Sequence, residues 1–234
     1  MATVILQARI GSTRLPGKAL MPILGKPMLF YTVETLKKSP AADRIVLAIP
    51  DNPKDDPLVA LSREWGIDCF RGSEPDVLER CYLASLQFKD KYYFRATGDN
   101  PVLDYSNLRR LLAVLEDKNN PGTTKNSYDY VVEKGLPLGA GVEAFTFEAL
   151  ERCYNEAHAQ DDREHVTLYM KKSGTFNALR IDAPPGFRYP GLRLTVDYPE
   201  DFQRAVAIIE NLYADRSIPP FEKVIEFCKR NGWV

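Results

Sequence analysis

The sequence predicts an α/β chain, a three-layer α/β/α arrangement with a mostly parallel central sheet, and three observations predict it. Short β-rich runs alternate with helix-like segments along most of the 234 residues. The helix-like segments carry apolar residues at helical spacing, clearest in Leu108, Leu111, Leu112 and Leu115 and again in Phe202, Ala205, Val206 and Ile209. Charged, glycine-containing loops follow directly on two of the β-rich runs, which is where such sheets bind ligands. Strands that alternate with helices favour a parallel sheet covered on both faces.

The β-rich runs are Thr3 to Leu6, Arg44 to Ile49, Tyr92 to Ala96, Tyr128 to Val132, Phe176 to Ile181 and Leu192 to Val196. The length suits a single domain, 1–234, and the turn-rich stretch from Asn126 to Pro190 reads as a small insertion or dimer arm within it. Lys+Arg of 31 against Asp+Glu of 32 leaves a formal net charge of -1, so the overall balance recommends neither nucleic acid nor an anionic membrane as partner. The apolar run at the start is broken by Gln7 and Arg9, too early for a signal peptide or a membrane span, and a cytoplasmic protein is expected. Cys69, Cys81, Cys153 and Cys228 form no C-x-x-C pair and read as reduced thiols in or near the core. His158 and His165 have no second histidine at metal-ligand spacing, which counts against zinc.

Between the first strand and a helix expected from Pro27 lies QARIGSTRLPGKAL, Gln7 to Leu20. A loop of this length inside a compact fold is usually functional or disordered, and its composition argues for function. Gly11 and Gly17 permit unusual backbone angles, and Pro16 stiffens the turn. Arg9, Arg14 and Lys18 supply positive charge, Ser12 and Thr13 supply hydroxyls, and free backbone N–H groups could complete an anion cradle for a polyphosphate. The Walker pattern is excluded by count: five residues separate Gly11 from Gly17, and Ala19 follows Lys18 where a hydroxyl residue is required. The G-x-G-x-x-G dinucleotide fingerprint is absent as well.

Further along, Ser73 reads as the cap of a helix opening at Pro75, with Glu74 and Asp76 in its acidic first turn. Arg71 and Arg80 then read either as solvated charges or as ligand contacts. In YYFRATGDNP the strand ends near Ala96, Gly98 turns the backbone, and Asp99 is presented at the strand's end. LRLTVDYPEDF repeats that arrangement with Asp197. One aspartate from each could hold Mg2+, which takes one or two carboxylates and fills its other positions with phosphate and water. For Asp197 an ordinary helix-cap role is the competing reading.

The strings QARIGSTRLPGKAL, GKPML, RGSEPDVLERCY, RATGDNPVLD, REHVT and LRLTVDYPEDF together resemble the cytidylyltransferases that activate acidic sugars, the synthetases of CMP-sialic acid and CMP-3-deoxy-manno-octulosonate. The branch most resembled is that of the spore-coat polysaccharide biosynthesis protein F. The resemblance implies the Rossmann-like fold of nucleotide-diphospho-sugar transferases and Mg2+-dependent transfer of CMP from CTP to a sugar, with pyrophosphate released. It implies nucleotide contacts at Gln7, Ala8, Arg9, Gly11, Ser12, Thr13, Arg14, Lys18, Arg71 and Arg80. Catalytic roles fall on Arg14, Lys18 and Asp99, metal ligation on Asp99 and Asp197, and acceptor binding on Arg163, Glu164 and His165. Leu168 stands where relatives commonly carry a proline. A homodimer is expected from the same resemblance. The residues also admit a sugar-1-phosphate nucleotidyltransferase, an A-type glycosyltransferase or a non-catalytic nucleotide-binding module. The second lacks its Asp-x-Asp, since Asn100 and Pro101 follow Asp99, and the third would have no need of both aspartates.

Overall fold

The computed structural model describes residues 1–117, 128–213 and 217–234; the first two residues of the expected insertion, 126 and 127, lie outside them. The chain begins with β1 (Ala2–Gln7), crosses a loop to the two-residue strands β2 (Pro22–Ile23) and β3 (Lys26–Pro27), and enters α1 (Met28–Lys37). It continues through β4 (Arg44–Pro50), α2 (Asp56–Glu64), β5 (Asp68–Gly72), α3 (Val77–Leu86), β6 (Tyr92–Thr97) and α4 (Tyr105–Glu116). Beyond the undescribed residues come β7 (Tyr130–Lys134), β8 (Glu143–Thr146), α5 (Phe147–Glu156), α6 (Gln160–His165), α7 (Leu168–Lys172) and β9 (Ala178–Asp182). Two helices, α8 (Pro199–Leu212) and α9 (Phe221–Arg230), follow.

Seven strands form one sheet in the order β5-β4-β1-β6-β8-β7-β9. All pairings are parallel except the two made by β8. From β1 the chain winds outward through β4 to β5 and then returns to β6 on the other flank of β1. The order therefore reverses between β1 and β6, and a crevice opens outside the carboxyl ends of those two strands.

Alternation along the strands sorts side chains onto two faces. Val4, Leu6, Phe94 and Ala96 join Leu29, Val33 and Leu36 of α1 and Leu108, Leu111 and Leu115 of α4 in one core. Ile5, Tyr93, Tyr130 and Phe145 join Leu78 and Cys81 of α3 and Leu150 and Cys153 of α5 in another. The apolar stripe of α4 is the one the leucine spacing predicts, and each such leucine contributes roughly 2 kcal/mol by leaving water. A third core packs α8 and α9 against Ile23, Met28 and Tyr31, with Leu192, Leu194 and Val196 between them. All four cysteines are free; Cys81, Cys153 and Cys228 are buried and Cys69 is partly so.

Besides β2, β3 and β5, which lie outside the six β-rich runs, two elements differ from the sequence reading. Leu192 to Val196 is an extended segment with one isolated bridge, Arg193 to Leu138, in place of a ladder strand. Its backbone has other partners: the Leu194 and Thr195 N–H groups both donate to the Leu138 carbonyl, and the Val196 N–H donates to the Asp99 carbonyl at 2.8 Å. Conversely, β8 was not anticipated, because four residues between GLPLGAG and a helix carry too short an alternation to read. The stretch expected to form an insertion supplies β7, β8 and β9 to the main sheet. Phe187, near the end of that stretch, is buried in the third core against Phe221 of the same chain.

Candidate active site

The loop after β1 and the loop after β6 emerge side by side at the strand reversal. Gly98 N–H donates to the Gln7 carbonyl at 2.8 Å, and a Cβ at Gly98 would stand 2.8 Å from Ala8 Cβ and 2.9 Å from Leu29 Cδ1. Only glycine allows this approach. In the basic loop Gly17 adopts φ 73, a left-handed conformation natural to glycine, and launches the short 3-10 turn Lys18–Leu20. Gly11 has no such backbone requirement; a side chain there would meet Lys54. The loop is braced internally by Ser12 and Gly17 N–H groups on the Ile10 carbonyl, and from outside by Asp55, which accepts from Ile10 N–H at 2.7 Å. Among the described residues, the N–H groups of Gly11, Thr13 and Arg14 have no partner.

A cavity of about 390 Å³ opens beside this loop. One wall comes from Gln7, Ala8, Arg9, Ser12, Thr13, Arg14 and Lys18; another from Glu74, Pro75, Val77 and Arg80; the floor from Arg95, Thr97, Gly98 and Asp99. Gln160, Glu164 and His165 of α6 close the far end, and Asp197 completes the rim.

At that rim Lys18 Nζ donates to Asp99 Oδ2 at 3.1 Å, to Asp197 Oδ1 at 3.1 Å and to the Val196 carbonyl at 2.6 Å. The two carboxylates thus converge on a single cation-sized point, although they lie 98 positions apart in sequence. Asp197 also accepts from Arg14 on Oδ1 and from Arg193 on Oδ2, both at 2.6 Å. Burial works against ionisation of Asp197, but Lys18, Arg14 and Arg193 outweigh it and hold its carboxyl below the usual carboxylate range. Its side chain does not cap α8. Asp201 supplies that bond, accepting the N–H groups of Asp197 and Tyr198 at 3.0 and 3.1 Å, so the helix-cap reading of Asp197 gives way to one in which Asp201 orients it.

Arg80 is 3% exposed and its Nη1 donates to the Ser73 carbonyl, yet its Nε has no partner and it forms no ion pair among the described residues. Burial pushes its pKa down. A buried guanidinium on a cavity wall without a carboxylate is costly unless a ligand supplies acceptors. The helix that carries it opens at Val77, two residues later than the expected Pro75, and its cap is Asp76, which accepts from Glu79 N–H; Ser73, expected as the cap, accepts from Asp76 N–H in the turn before the helix.

Three expected contacts do not line the cavity: Gly11, although its neighbours Ser12 and Thr13 do, and Arg71 and Arg163. Arg71 lies in β5, two strands away from β1, and is spent on Asp51, Asp56 and the Asn52 carbonyl. Arg163 is spent inside the fold: it binds Asp76 at 2.6 Å, donates to the Tyr154 carbonyl and stacks on the Tyr154 ring, bracing α6 against α3. Glu164 and His165 do line the wall. They are presented by an unusual turn, in which Thr167 N–H donates to the His165 carbonyl at 2.6 Å across Val166 at φ 54, ψ -63. This γ-turn is of the rare, strained kind, at a β-branched residue. It is over-determined: Val166 is fully buried, its carbonyl accepts from Cys153 Sγ, and Thr167 Oγ1 donates to Glu143. Leu168 then opens α7 at a position a proline would also accept.

Sequence reasoning missed Arg95 and Glu143. Arg95 lies on the cavity floor and donates to Gln7 Oε1 and to Glu143 Oε2, both at 2.9 Å, which turns the Gln7 carbonyl oxygen toward Arg95. Glu143 also accepts from Tyr130, Thr167 and Lys171. Burial opposes its charge, but Arg95 and Lys171 prevail and its pKa is held at about 2. The only signal in sequence was Arg95 itself, a charge inside an otherwise apolar strand.

A strand reversal carrying a basic loop on one side and two convergent aspartates on the other defines a nucleotidyltransferase. More specifically, the chain belongs to the cytidylyltransferase family, whose profile matches residues 3–230. It is 33% identical over 233 residues to the spore coat polysaccharide biosynthesis protein SpsF of Bacillus subtilis, covering 97% of this chain and 93% of that protein. Its fold superposes on a cytidylyltransferase from Leptospira borgpetersenii with a TM-score of 0.87 at 26% identity, covering 99% and 94% of the two chains. It also superposes on a CMP:2-keto-3-deoxy-manno-octonic acid synthetase complexed with CTP, with a TM-score of 0.65 at 16% identity and coverage of 90% and 98%.

Proposed function

We propose that the chain transfers CMP from CTP to a hydroxyl of a sugar, an acidic one by family resemblance, with Mg2+ as the metal and pyrophosphate as the leaving group. The carrying observation is the convergence of Asp99 and Asp197 on Lys18 at the mouth of a loop with free N–H groups. Two converging carboxylates with open space on the phosphate side suit a cation that takes its remaining ligands from phosphate and water. Asp99 and Asp197 would hold it, and when bound it polarises the α-phosphoryl group and screens its charge.

The residues of the chain do the rest by position and charge. Arg9, Arg14, Lys18 and the N–H groups of Gly11, Thr13 and Arg14 cradle the triphosphate. Gln7, Ala8 and Arg80 face the nucleoside; Arg80 can only donate, which suits the O2 and N3 acceptors of cytosine and opposes the N3–H of uracil. Glu164 and His165 receive the acceptor, and Arg95 forms the floor between the two ligands. The acceptor oxygen attacks the α-phosphorus, the bond from that phosphorus to the bridging oxygen breaks, and its electron pair leaves with pyrophosphate, which Arg14 and Lys18 neutralise. The acceptor's hydroxyl proton passes to solvent or to a base at the α6 end.

The test is pyrophosphate release from each of the four ribonucleoside triphosphates with Mg2+, against a panel of acidic sugars and sugar-1-phosphates. Release with CTP and an acidic sugar, lost in Asp99→Asn, is expected. Release only with a sugar-1-phosphate, or with another triphosphate in preference to CTP, would replace this reading.

A further inference from the structure

We propose that Lys18 is a built-in cation that closes the Asp99–Asp197 site to divalent metal until a triphosphate draws it away, so that nucleotide binds before the metal these aspartates share. The inference rests on the nucleotidyl-transfer reading above and adds an order of binding to it.

The ammonium occupies the meeting point of the two carboxylates, 3.1 Å from each, and is fixed from a third direction by the Val196 carbonyl at 2.6 Å. Its side chain is only 12% exposed. A dication arriving alone would have to displace a charge that is bonded three ways, and would meet Arg14 on the same Asp197 oxygen.

The two oxygens of Asp197 are held by different parts of the chain. Oδ1 takes Lys18 and Arg14, both from the phosphate loop, while Oδ2 takes Arg193, whose Nε–H is shared between the two Asp201 oxygens at 2.9 and 3.0 Å. A triphosphate on the loop competes for the first pair and leaves the second in place. Its arrival therefore frees Oδ1 of Asp197 and Oδ2 of Asp99 together, the pair a metal needs, and adds phosphate oxygens beside them. The movement is confined to a side chain. Lys18 sits in a 3-10 turn set by Gly17, and its four-carbon stem can swing with the backbone unchanged.

The test uses Mn2+ as a paramagnetic probe on the full chain, with protein-bound ion read by water-proton relaxation enhancement, which separates a ternary complex from Mn2+–CTP in solution. CTP binding is first measured calorimetrically in EDTA, where binding is expected. Without nucleotide, wild-type protein is expected to bind Mn2+ at least about tenfold more weakly than it does with CTP. Lys18→Met and Lys18→Gln are expected to bind it without nucleotide at least about tenfold more tightly than wild type, the least that removing a unit charge from contact with a dication gives even at a water-like dielectric constant. Equal Mn2+ affinity of the wild type with and without CTP overturns the proposal, as does a folded pair of Lys18 variants no tighter than wild type. If neither variant folds, the wild-type comparison decides alone. Absence of CTP binding with and without Mn2+ would instead refute the nucleotidyl-transfer reading.

Discussion

Glu143→Gln removes the charge that holds the floor of the cavity, and its size can be worked from the structure. The side chain is 13% exposed and accepts from Arg95, Lys171, Tyr130 and Thr167. Its pKa in the folded chain is about 2 against an ordinary 4.5. That difference corresponds to about 3 kcal/mol of stability at ~1.4 kcal/mol per tenfold. The folded value is depressed, so the contribution is complete above the unfolded value of 4.5 and is lost as pH falls toward about 2. In the variant, Arg95 and Lys171 stay partly buried without a counter-charge, a situation that costs about 3–5 kcal/mol when a buried pair is broken. Urea unfolding at pH 7 should show a loss of that order, and the stability of the wild type should converge on that of the variant as pH falls from 4.5 to 2. A loss below ~1 kcal/mol at pH 7, or parallel pH dependences, would refute the reasoning. CTP turnover should fall in parallel, because Arg95 then no longer fixes Gln7.

Arg80→Met removes a buried charge that has no ion-pair partner among the described residues, so thermal stability is expected to hold or rise by up to about 1 kcal/mol while CTP affinity, measured calorimetrically, drops at least about tenfold. Loss of stability with unchanged affinity would make Arg80 structural. Gly98→Ala puts a Cβ 2.8 Å from Ala8 Cβ and should cost about 1–3 kcal/mol by overpacking, with activity lost through separation of the two loops; a variant as active and stable as wild type would mean the loops part freely. Asp201→Asn weakens the bonds that orient the Asp197 peptide and Arg193, and is expected to cost about 1–2 kcal/mol and to raise the Mg2+ concentration for half-maximal activity. A Mg2+ titration identical to that of the wild type would limit Asp201 to capping α8.

The parallel half of the sheet was legible because its signal is local. Each of β1, β4 and β6 is a near-continuous apolar run, as burial on both faces requires, and each is followed by a helix with its own periodicity. The other half was less so. Leu192 to Val196 alternates as a strand would, with Leu192, Leu194 and Val196 all buried, but alternation reports only which side chains go inward and says nothing about where the backbone bonds go. Here they go to Leu138 and to the Asp99 carbonyl, and the segment becomes a tether between two loops.

The same distinction runs through the site. Charges of unusual local density, as in Arg9 to Lys18, or aspartates at strand ends, can be read without knowing what they touch. Whether a cation is free for a ligand cannot, because that depends on partners supplied from elsewhere in the chain. Arg71 and Arg163 looked as available as Arg80 in sequence, yet Asp51 and Asp56 take the first and Asp76 takes the second, while no carboxylate among the described residues reaches the third. Burial then reverses the naive ranking. The most exposed of these three arginines are already neutralised by neighbours, and the most buried one is left with unmet hydrogen-bonding capacity. In a cavity wall, a donor-only group kept dry and unpaired is a stronger pointer to a ligand than a charge on the surface, since folding has left the partner to be supplied from outside.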